Sequence, residues 1–291
     1  MRLVTFEMPG DRAGAAHVGL RQGDRVVDLS LAAPNLPGDL AGLLAAGPEA
    51  LAAARKAAEQ APAAAIQAWD DLRLLPPIPR PGKILCLGLN YHAHAAEGGR
   101  EAPDYPNVFM RGATSLVAHK QAMILPKASH RLDYEVELAV IVGTRARHLT
   151  AENALDCVGG YACFNDGSVR DYQRRAPQWT MGKNFDATGG FGPECVTPDE
   201  LPPGGAGLRI QTRLNGQTMQ DSNTDKMIFN VVDTLVALTE VMTLEPGDVI
   251  ATGTCEGVGF ARKPPVWMKD GDVCEVEIEG VGTLVNPIQA E

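Results

Sequence analysis

Two glutamates separated by a single residue in an apolar run are the side chains of this sequence best placed to do chemistry. They lie in Asp133-Tyr134-Glu135-Val136-Glu137-Leu138-Ala139-Val140-Ile141-Val142. In a strand, alternate side chains share a face, so Glu135 and Glu137 stand roughly 7 Å apart on one side with Ala139 and Ile141. Burying two like charges on a face that continues apolar is costly unless something positive joins them, and a divalent cation does that. The competing reading is a solvated strand face. Val273-Cys274-Glu275-Val276-Glu277-Ile278-Glu279 shows how that looks, with acids on one side and apolar groups on the other. Glu135 and Glu137 lack that regularity.

A third carboxylate strengthens the metal reading. Tyr161-Ala162-Cys163-Phe164-Asn165-Asp166-Gly167-Ser168 runs from a predicted strand into a turn, and Asp166 sits at the strand end. Its ordinary role there would be turn-forming or capping. Three acids without a neighbouring Cys or His make a hard oxygen site, suited to Mg²⁺ or Mn²⁺ rather than Zn²⁺. Just beyond, Arg170 and Gln173 share a face if residues 169–174 are helical, and such a pair can grip a carboxylate or carbonyl.

His94 and Glu97 also have i, i+3 spacing, so one helical turn brings imidazole and carboxylate together. Glu97 would orient the ring and favour its cationic form, making His94 a competent general base toward water. His92 lies close by, and spacing alone does not choose between the two histidines. Lys183 stands in Met181-Gly182-Lys183-Asn184-Phe185-Asp186; by itself it would read as a solvated lysine. Ala251-Thr252-Gly253-Thr254-Cys255-Glu256-Gly257-Val258-Gly259 follows a strand, and its glycines let backbone amides approach a ligand oxygen. No Gly-Lys-Ser/Thr ending is present, so a phosphate loop has little support.

The elements that must position these groups divide into two parts. Leu3–Phe6, 16–20 and 25–29 read as short strands, separated by Pro9-Gly10-Asp11 and Gln22-Gly23-Asp24 turn signals. Ala- and Leu-rich segments then run to about Leu75 with helical propensity, punctuated by Pro48 and Pro62. The proline-rich stretch around 76–82 interrupts regular structure, giving a small N-terminal domain over 1–75 and a larger one over 76–291. The larger part is strand-dominated: 84–87, 134–142, 208–214, 249–251 and 273–278, with Asn215-Gly216 as a hairpin turn. An amphipathic helix is expected after Asn223-Thr224, carrying Ile228, Val231, Val232, Leu235, Leu238, Val241 and Met242, and ended by Pro246-Gly247. Residues 88–115, rich in Gly, Pro and polar side chains, read as a mobile loop over a site.

Composition removes other classes. With 26 basic and 36 acidic residues, the formal net charge of −10 disfavours nucleic acid or an anionic membrane as the main partner. No run approaches the roughly 18 apolar residues of a membrane span, and the N-terminus has no secretory pattern. The six cysteines are scattered with no Cys-x-x-Cys, which fits free thiols in a reducing cytoplasm.

Taken together and in order, these segments resemble the fumarylacetoacetate hydrolase family. The match includes Leu87-Gly88-Leu89-Asn90-Tyr91 with His94 and Glu97, Pro106-Asn107-Val108-Phe109-Met110-Arg111, and Asp133-Tyr134-Glu135-Val136-Glu137-Leu138. Asn165-Asp166 with Arg170, Asp171 and Gln173, then Gly182-Lys183-Asn184-Phe185-Asp186, continue it. Met219-Gln220-Asp221-Ser222-Asn223-Thr224, Gly253-Thr254 and Gly280-Val281-Gly282-Thr283-Leu284-Val285-Asn286 complete a set spanning roughly residues 80–290.

The resemblance implies an α+β, mainly β fold: a mixed β-sandwich roll with a small N-terminal α/β domain, assembled as a homodimer. It implies Mg²⁺ or Mn²⁺ held by Glu135, Glu137 and Asp166, and a water-activating dyad of His94 and Glu97 on a loop that orders over substrate. Lys183, Arg170, Gln173, Gly253 and Thr254 would bind substrate oxygens. The expected activity is hydrolysis of a carbon–carbon bond in a 1,3-diketo acid such as an acylpyruvate, with Lys183 stabilising charge on the attacked carbonyl oxygen. The same site could serve 2-oxo acid decarboxylation or keto–enol isomerisation, and a non-catalytic ligand-binding descendant is the reading of another class. Three departures stand out. Family members often carry Lys where Arg111 stands and Ser where Asn184 stands. Where the fumarylacetoacetate-cleaving enzyme has a further acidic ligand ahead of its His, this chain offers only Asn90, which implies an extra water in the shell.

Overall fold

The computed structural model describes residues 1–8, 10 and 15–291, so Pro9 and Asp11 of the first turn signal lie outside the described residues. The chain is mainly sheet. One mixed sheet of 12 strands has at its centre Gly189–Val196, Val158–Asp166, Val136–Val142, Val249–Ala251 and Ile84–Gly88, with Asn107–Arg111 as one edge. A second sheet of five strands runs Gln217–Asn223, Arg209–Leu214, Val273–Ile278, Gly282–Ala290 and Met123–Leu125.

The central strand explains why the two sheets stack. Val136, Leu138, Val140 and Val142 belong to the core shared with Ile210, Leu214, Val276 and Ile278 of the second sheet. Ala139 and Ile141, on the opposite face, pack with Cys86, Phe164, Phe191, Leu43 and Leu44. A strand covered on both faces reads as a nearly continuous apolar run. Glu137 is therefore carried into the interior by its neighbours, of which each valine, leucine or isoleucine is worth roughly 1.5–3 kcal/mol of burial.

Arg2–Glu7 pairs antiparallel with Gly189–Val196 through Arg2↔Val196 and Leu3↔Cys195. The strands at His17–Gln22, Arg25–Asp28 and Ile66–Ala68 follow edgewise, so residues expected in a small N-terminal domain extend the large sheet. The helical propensity expected up to Leu75 is realised only as far as Gly47–Glu59, which Pro48 opens from its first turn. Beyond it, Ile66–Ala68 and Arg73–Leu75 are strands, because pairing with Arg25–Asp28 and Arg2–Glu7 overrides local preference.

Two more expectations are corrected. The amphipathic helix is Val231–Val241, capped by Asn230 through the N–H of Asp233. Ile228 stays outside it because its N–H donates to the Asn90 carbonyl at 2.8 Å, and Asn223-Thr224 opens a 3₁₀ turn at Thr224–Lys226 instead. Residues 88–115 are not one loop: they contain the helix His92–Glu97 and the strand Asn107–Arg111, leaving 98–106 irregular. The Asn215-Gly216 turn is as expected, with positive φ at both residues. Among the described residues no helix is long and apolar enough to cross a membrane.

Candidate active site

Three carboxylates meet where two neighbouring central strands end. Glu137 lies in Val136–Val142 and Asp166 closes Val158–Asp166; the register sets Val136 opposite Asn165. Glu135, just ahead of its strand, is locked by two bonds. Its N–H donates to Asn165 Oδ1 and its carbonyl accepts the N–H of Asp166, both at 2.9 Å. One oxygen from each of Glu135, Glu137 and Asp166 lies within 4.8 Å of the others, and all three residues are buried.

Counter-charges surround them. Lys183 Nζ donates to Glu135 Oε2 at 2.6 Å and also to Asp166 Oδ2. Arg111 Nη1 donates to the other Asp166 oxygen at 2.5 Å. Arg170 places Nη2 2.5 Å from Glu135 Oε1 and donates from Nε to Asp133 Oδ2 at 2.8 Å. Burial pushes the Glu135 carboxyl up, but Arg170, Lys183 and His94 outweigh it and hold it below the ordinary range. Burial also works against charge on Lys183, yet Asp166 and Glu135 raise it. Glu137 differs: among the described residues its carboxylate has only the Gly253 N–H, at 2.9 Å, and no cation bonded to it. Burial, then the charges of Asp166 and Glu135, push its carboxyl well above the ordinary range.

That imbalance tests whether a metal ion fits. Four buried carboxylates, Asp133 included, face three buried cations, Arg111, Arg170 and Lys183. A divalent ion among hard oxygen donors would supply the missing positive charge at Glu137. The residues fit Mg²⁺ or Mn²⁺.

The helix His92–Glu97 carries the dyad. His94 is buried and His92 exposed, so the fold settles which histidine faces inward. His94 Nδ1 and Glu97 Oε1 are 2.8 Å apart, and the N–H of Gly257 donates to Glu97 Oε2 at 2.8 Å. A carboxylate there accepts the Nδ1 proton, which leaves Nε2 as the free nitrogen. The His94 ring meets the edge of Phe260 at 6.5 Å between centroids.

The short helix Arg170–Gln173 realises the expected pairing, with Arg170 Nη1 donating to Gln173 Oε1 at 3.0 Å. Thr254 Oγ1 accepts from Gln220 Nε2 at 2.9 Å. Gly253 has φ +95°, and a Cβ there would lie 2.6 Å from the Asn90 Cβ, so only glycine allows its amide to reach Glu137. Asn90 is fully used by the backbone: Nδ2 donates to Phe229 O and Thr252 O, while Oδ1 accepts from Phe229 N.

One cavity of about 350 Å³ gathers His94, Glu135, Glu137, Asp166, Arg170, Gln173, Lys183 and Thr254 in its walls. Glu97 and Gly253 stand behind it, holding His94 and Glu137. Leu89, Phe109 and Trp179 form an apolar wall. Asp133 and Arg111 carry positions that spacing did not reveal. Asp133 is fully buried and also takes the amides of Gly259 and Phe260, at 2.8 and 3.0 Å. For Arg111 the available signal was an arginine on the inward face of an edge strand, alternating with exposed Met110.

Comparison with known proteins agrees with this geometry. Residues 83–289 match the family described as fumarylacetoacetate (FAA) hydrolase C-terminal. The mitochondrial oxaloacetate tautomerase Fahd2a of Rattus norvegicus is 39% identical over 292 residues, covering 99% of this chain and 91% of that protein. The solved structure of a fumarylacetoacetate hydrolase from psychrophilic Exiguobacterium antarcticum superposes with a TM-score of 0.83 at 36% identity, over 100% of both chains. Maleylpyruvate hydrolase from Sphingobium sp. SYK-6, in complex with manganese(II) and pyruvate, gives 0.79 at 28% identity, over 100% of this chain and 99% of that one.

Proposed function

The chain belongs to the fumarylacetoacetate hydrolase family, and from that premise we propose that it is a metal-dependent enzyme that moves a proton next to the carbonyl of a small 2-oxo acid. The reading is keto–enol isomerisation of an oxaloacetate-like substrate. The observation that carries it is His94, oriented by Glu97 at 2.8 Å, in the wall of the cavity where the three carboxylates converge. Similarity to an oxaloacetate tautomerase over 99% of the chain supports the same choice.

Glu135, Glu137 and Asp166 would hold Mg²⁺ or Mn²⁺. Such an ion, when bound, supplies Lewis acidity toward the oxo and carboxylate oxygens of the substrate. His94 Nε2 removes the proton from the carbon beside the carbonyl and delivers it to the oxygen of the former carbonyl, giving the enol; the reverse transfer regenerates the keto form. Glu97 stabilises the imidazolium that forms between the two transfers. Lys183 and Arg170 place positive charge where negative charge develops on substrate oxygen. Gln173 and Thr254 orient the acid, while Gly253 acts through Glu137 because its amide is engaged there.

Hydrolysis of an acylpyruvate is the second reading, favoured by the likeness to a maleylpyruvate hydrolase. It uses the same His94 nitrogen, now directed at a water molecule. The two are separated by offering the protein with Mn²⁺ first oxaloacetate and then acylpyruvates. Isomerisation predicts keto–enol equilibration faster than with the ion alone, deuterium entry at the carbon beside the carbonyl, and no CO₂. Failure on oxaloacetate, with ¹⁸O from water appearing in a carboxylate product of an acylpyruvate, replaces it by the hydrolytic reading.

A further inference from the structure

The cationic side chains in and behind the cavity wall fall into two sets. Arg111, Arg170 and Lys183 are committed to Asp166, Glu135 and Asp133. Arg100 and Arg174 also line the cavity, yet neither has an ion pair with any carboxylate among the described residues. Both are exposed, so an incoming ligand can reach them.

Arg174 is not loose. Its guanidinium lies 4.5 Å from the ring centroid of Phe260, and that of Arg170 lies at the same distance from the same ring. Phe260 is itself anchored, since its N–H and that of Gly259 donate to Asp133. A guanidinium stacked on an aromatic face keeps its N–H groups free at its edge, in the fork that matches a carboxylate. Burial, then the neighbouring charges of Arg170 and Arg100, outweigh the opposing charge of Asp133 and hold the Arg174 guanidinium below its ordinary range.

We propose that Arg174, steadied on Phe260 and assisted by Arg100, receives a second carboxylate, and so selects 2-oxo diacids over 2-oxo monoacids. This inference rests on the reading that the 2-oxo-acid end binds at Glu135, Glu137 and Asp166. Arg174 is a specificity-determining residue: it meets the end of the substrate that does not react.

The test compares oxaloacetate with its 4-methyl ester, which keeps the 2-oxo acid and removes only the distal charge. Binding is read independently of turnover, as the equilibrium change in tryptophan fluorescence in the presence of Mg²⁺, because Trp179 lines the cavity. The native protein is expected to bind the diacid about 10- to 100-fold more tightly than the ester, the range for a charge-assisted hydrogen-bonded contact. Arg174→Met should bring the two affinities together at the level of the ester, with an unchanged circular dichroism spectrum. An undiminished preference in Arg174→Met overturns the proposal, as does an equal loss for both compounds. Binding of neither compound to the native protein removes the reading of the site and this inference together. A native protein that binds both with the expected preference, but does not interconvert keto and enol forms, removes only the isomerase reading.

Discussion

Glu97 and Gly257 are 160 positions apart, and the N–H of Gly257 donates to Glu97 Oε2 at 2.8 Å. With its other oxygen on His94, Glu97 ties the helix that lines the cavity to the loop that carries Phe260. That loop is held in turn by Asp133, the residue that also holds Arg170. His94 and the arginine beside Glu135 are thus positioned through one connected set of bonds.

Removing His94 should separate chemistry from binding if it is the base proposed above. His94→Ala is expected to reduce turnover by roughly 10²- to 10⁴-fold while retaining Mn²⁺ and oxalate. Glu97→Ala should give a smaller loss, since His94 remains but is no longer oriented. Steady-state rates alongside calorimetric titrations with Mn²⁺ and oxalate check both. Turnover of His94→Ala within a few-fold of the native rate would exclude it as the base.

The tether makes a mechanical prediction. Helix His92–Glu97 is short and has only His94 and Ala95 buried, so contacts other than Glu97–Gly257 restrain it weakly. Hydrogen exchange across residues 91–100 should be faster without ligand than with Mn²⁺ and oxalate. It should be faster still in Glu97→Ala. Equal, strong protection in all three states would mean a fixed wall rather than a cover.

The cluster of Glu135, Glu137 and Asp166 should titrate. Glu137 has its carboxyl raised, first by burial and then by Asp166 and Glu135, so the folded metal-free protein keeps a proton that the unfolded chain releases above the ordinary value of 4.5. A raised acid contributes stability present below that value and lost as pH rises through the shifted one. Glu135 is shifted the other way, and its contribution is lost as pH falls below 4.5, a separate window. Metal-free protein should therefore lose stability as pH rises above that value, and Mg²⁺ should remove the loss. Cation binding should release a proton, with affinity rising with pH. Denaturant unfolding at several pH values, with and without Mg²⁺, measures this; Glu137→Ala should abolish cation binding without unfolding the chain. Full metal occupancy in that variant would end the assignment.

Lys183 is buried between Glu135 and Asp166. Lys183→Met should destabilise the metal-free protein by roughly 3–5 kcal/mol, the usual result of stranding a buried charge. Mn²⁺ should restore part of the loss by supplying a replacement charge. Thermal unfolding with and without Mn²⁺ is the measurement; an equal deficit in both conditions would show that the ion does not sit between these carboxylates.

Much of this was written in local pattern. The alternation through Glu135, Glu137, Ala139 and Ile141 reports which side chains share a face, because strand geometry has a period of two residues. The i, i+3 spacings of His94 with Glu97 and Arg170 with Gln173 likewise predict contacts that a single helical turn makes. Local pattern stops where a bond joins distant segments. It could not choose His94 over His92, since that depends on which side of a short helix meets the Phe260 loop. It assigned a helix to residues that pair as strands at 66–68 and 73–75, because edge pairing outweighs propensity once a neighbouring strand is present. It left Arg111 and Asp133 without a role, although each anchors groups tens of residues away. Charge balance at Glu137 was equally out of reach. Periodicity places a carboxylate on a face, but only the packed fold decides how many cations reach it.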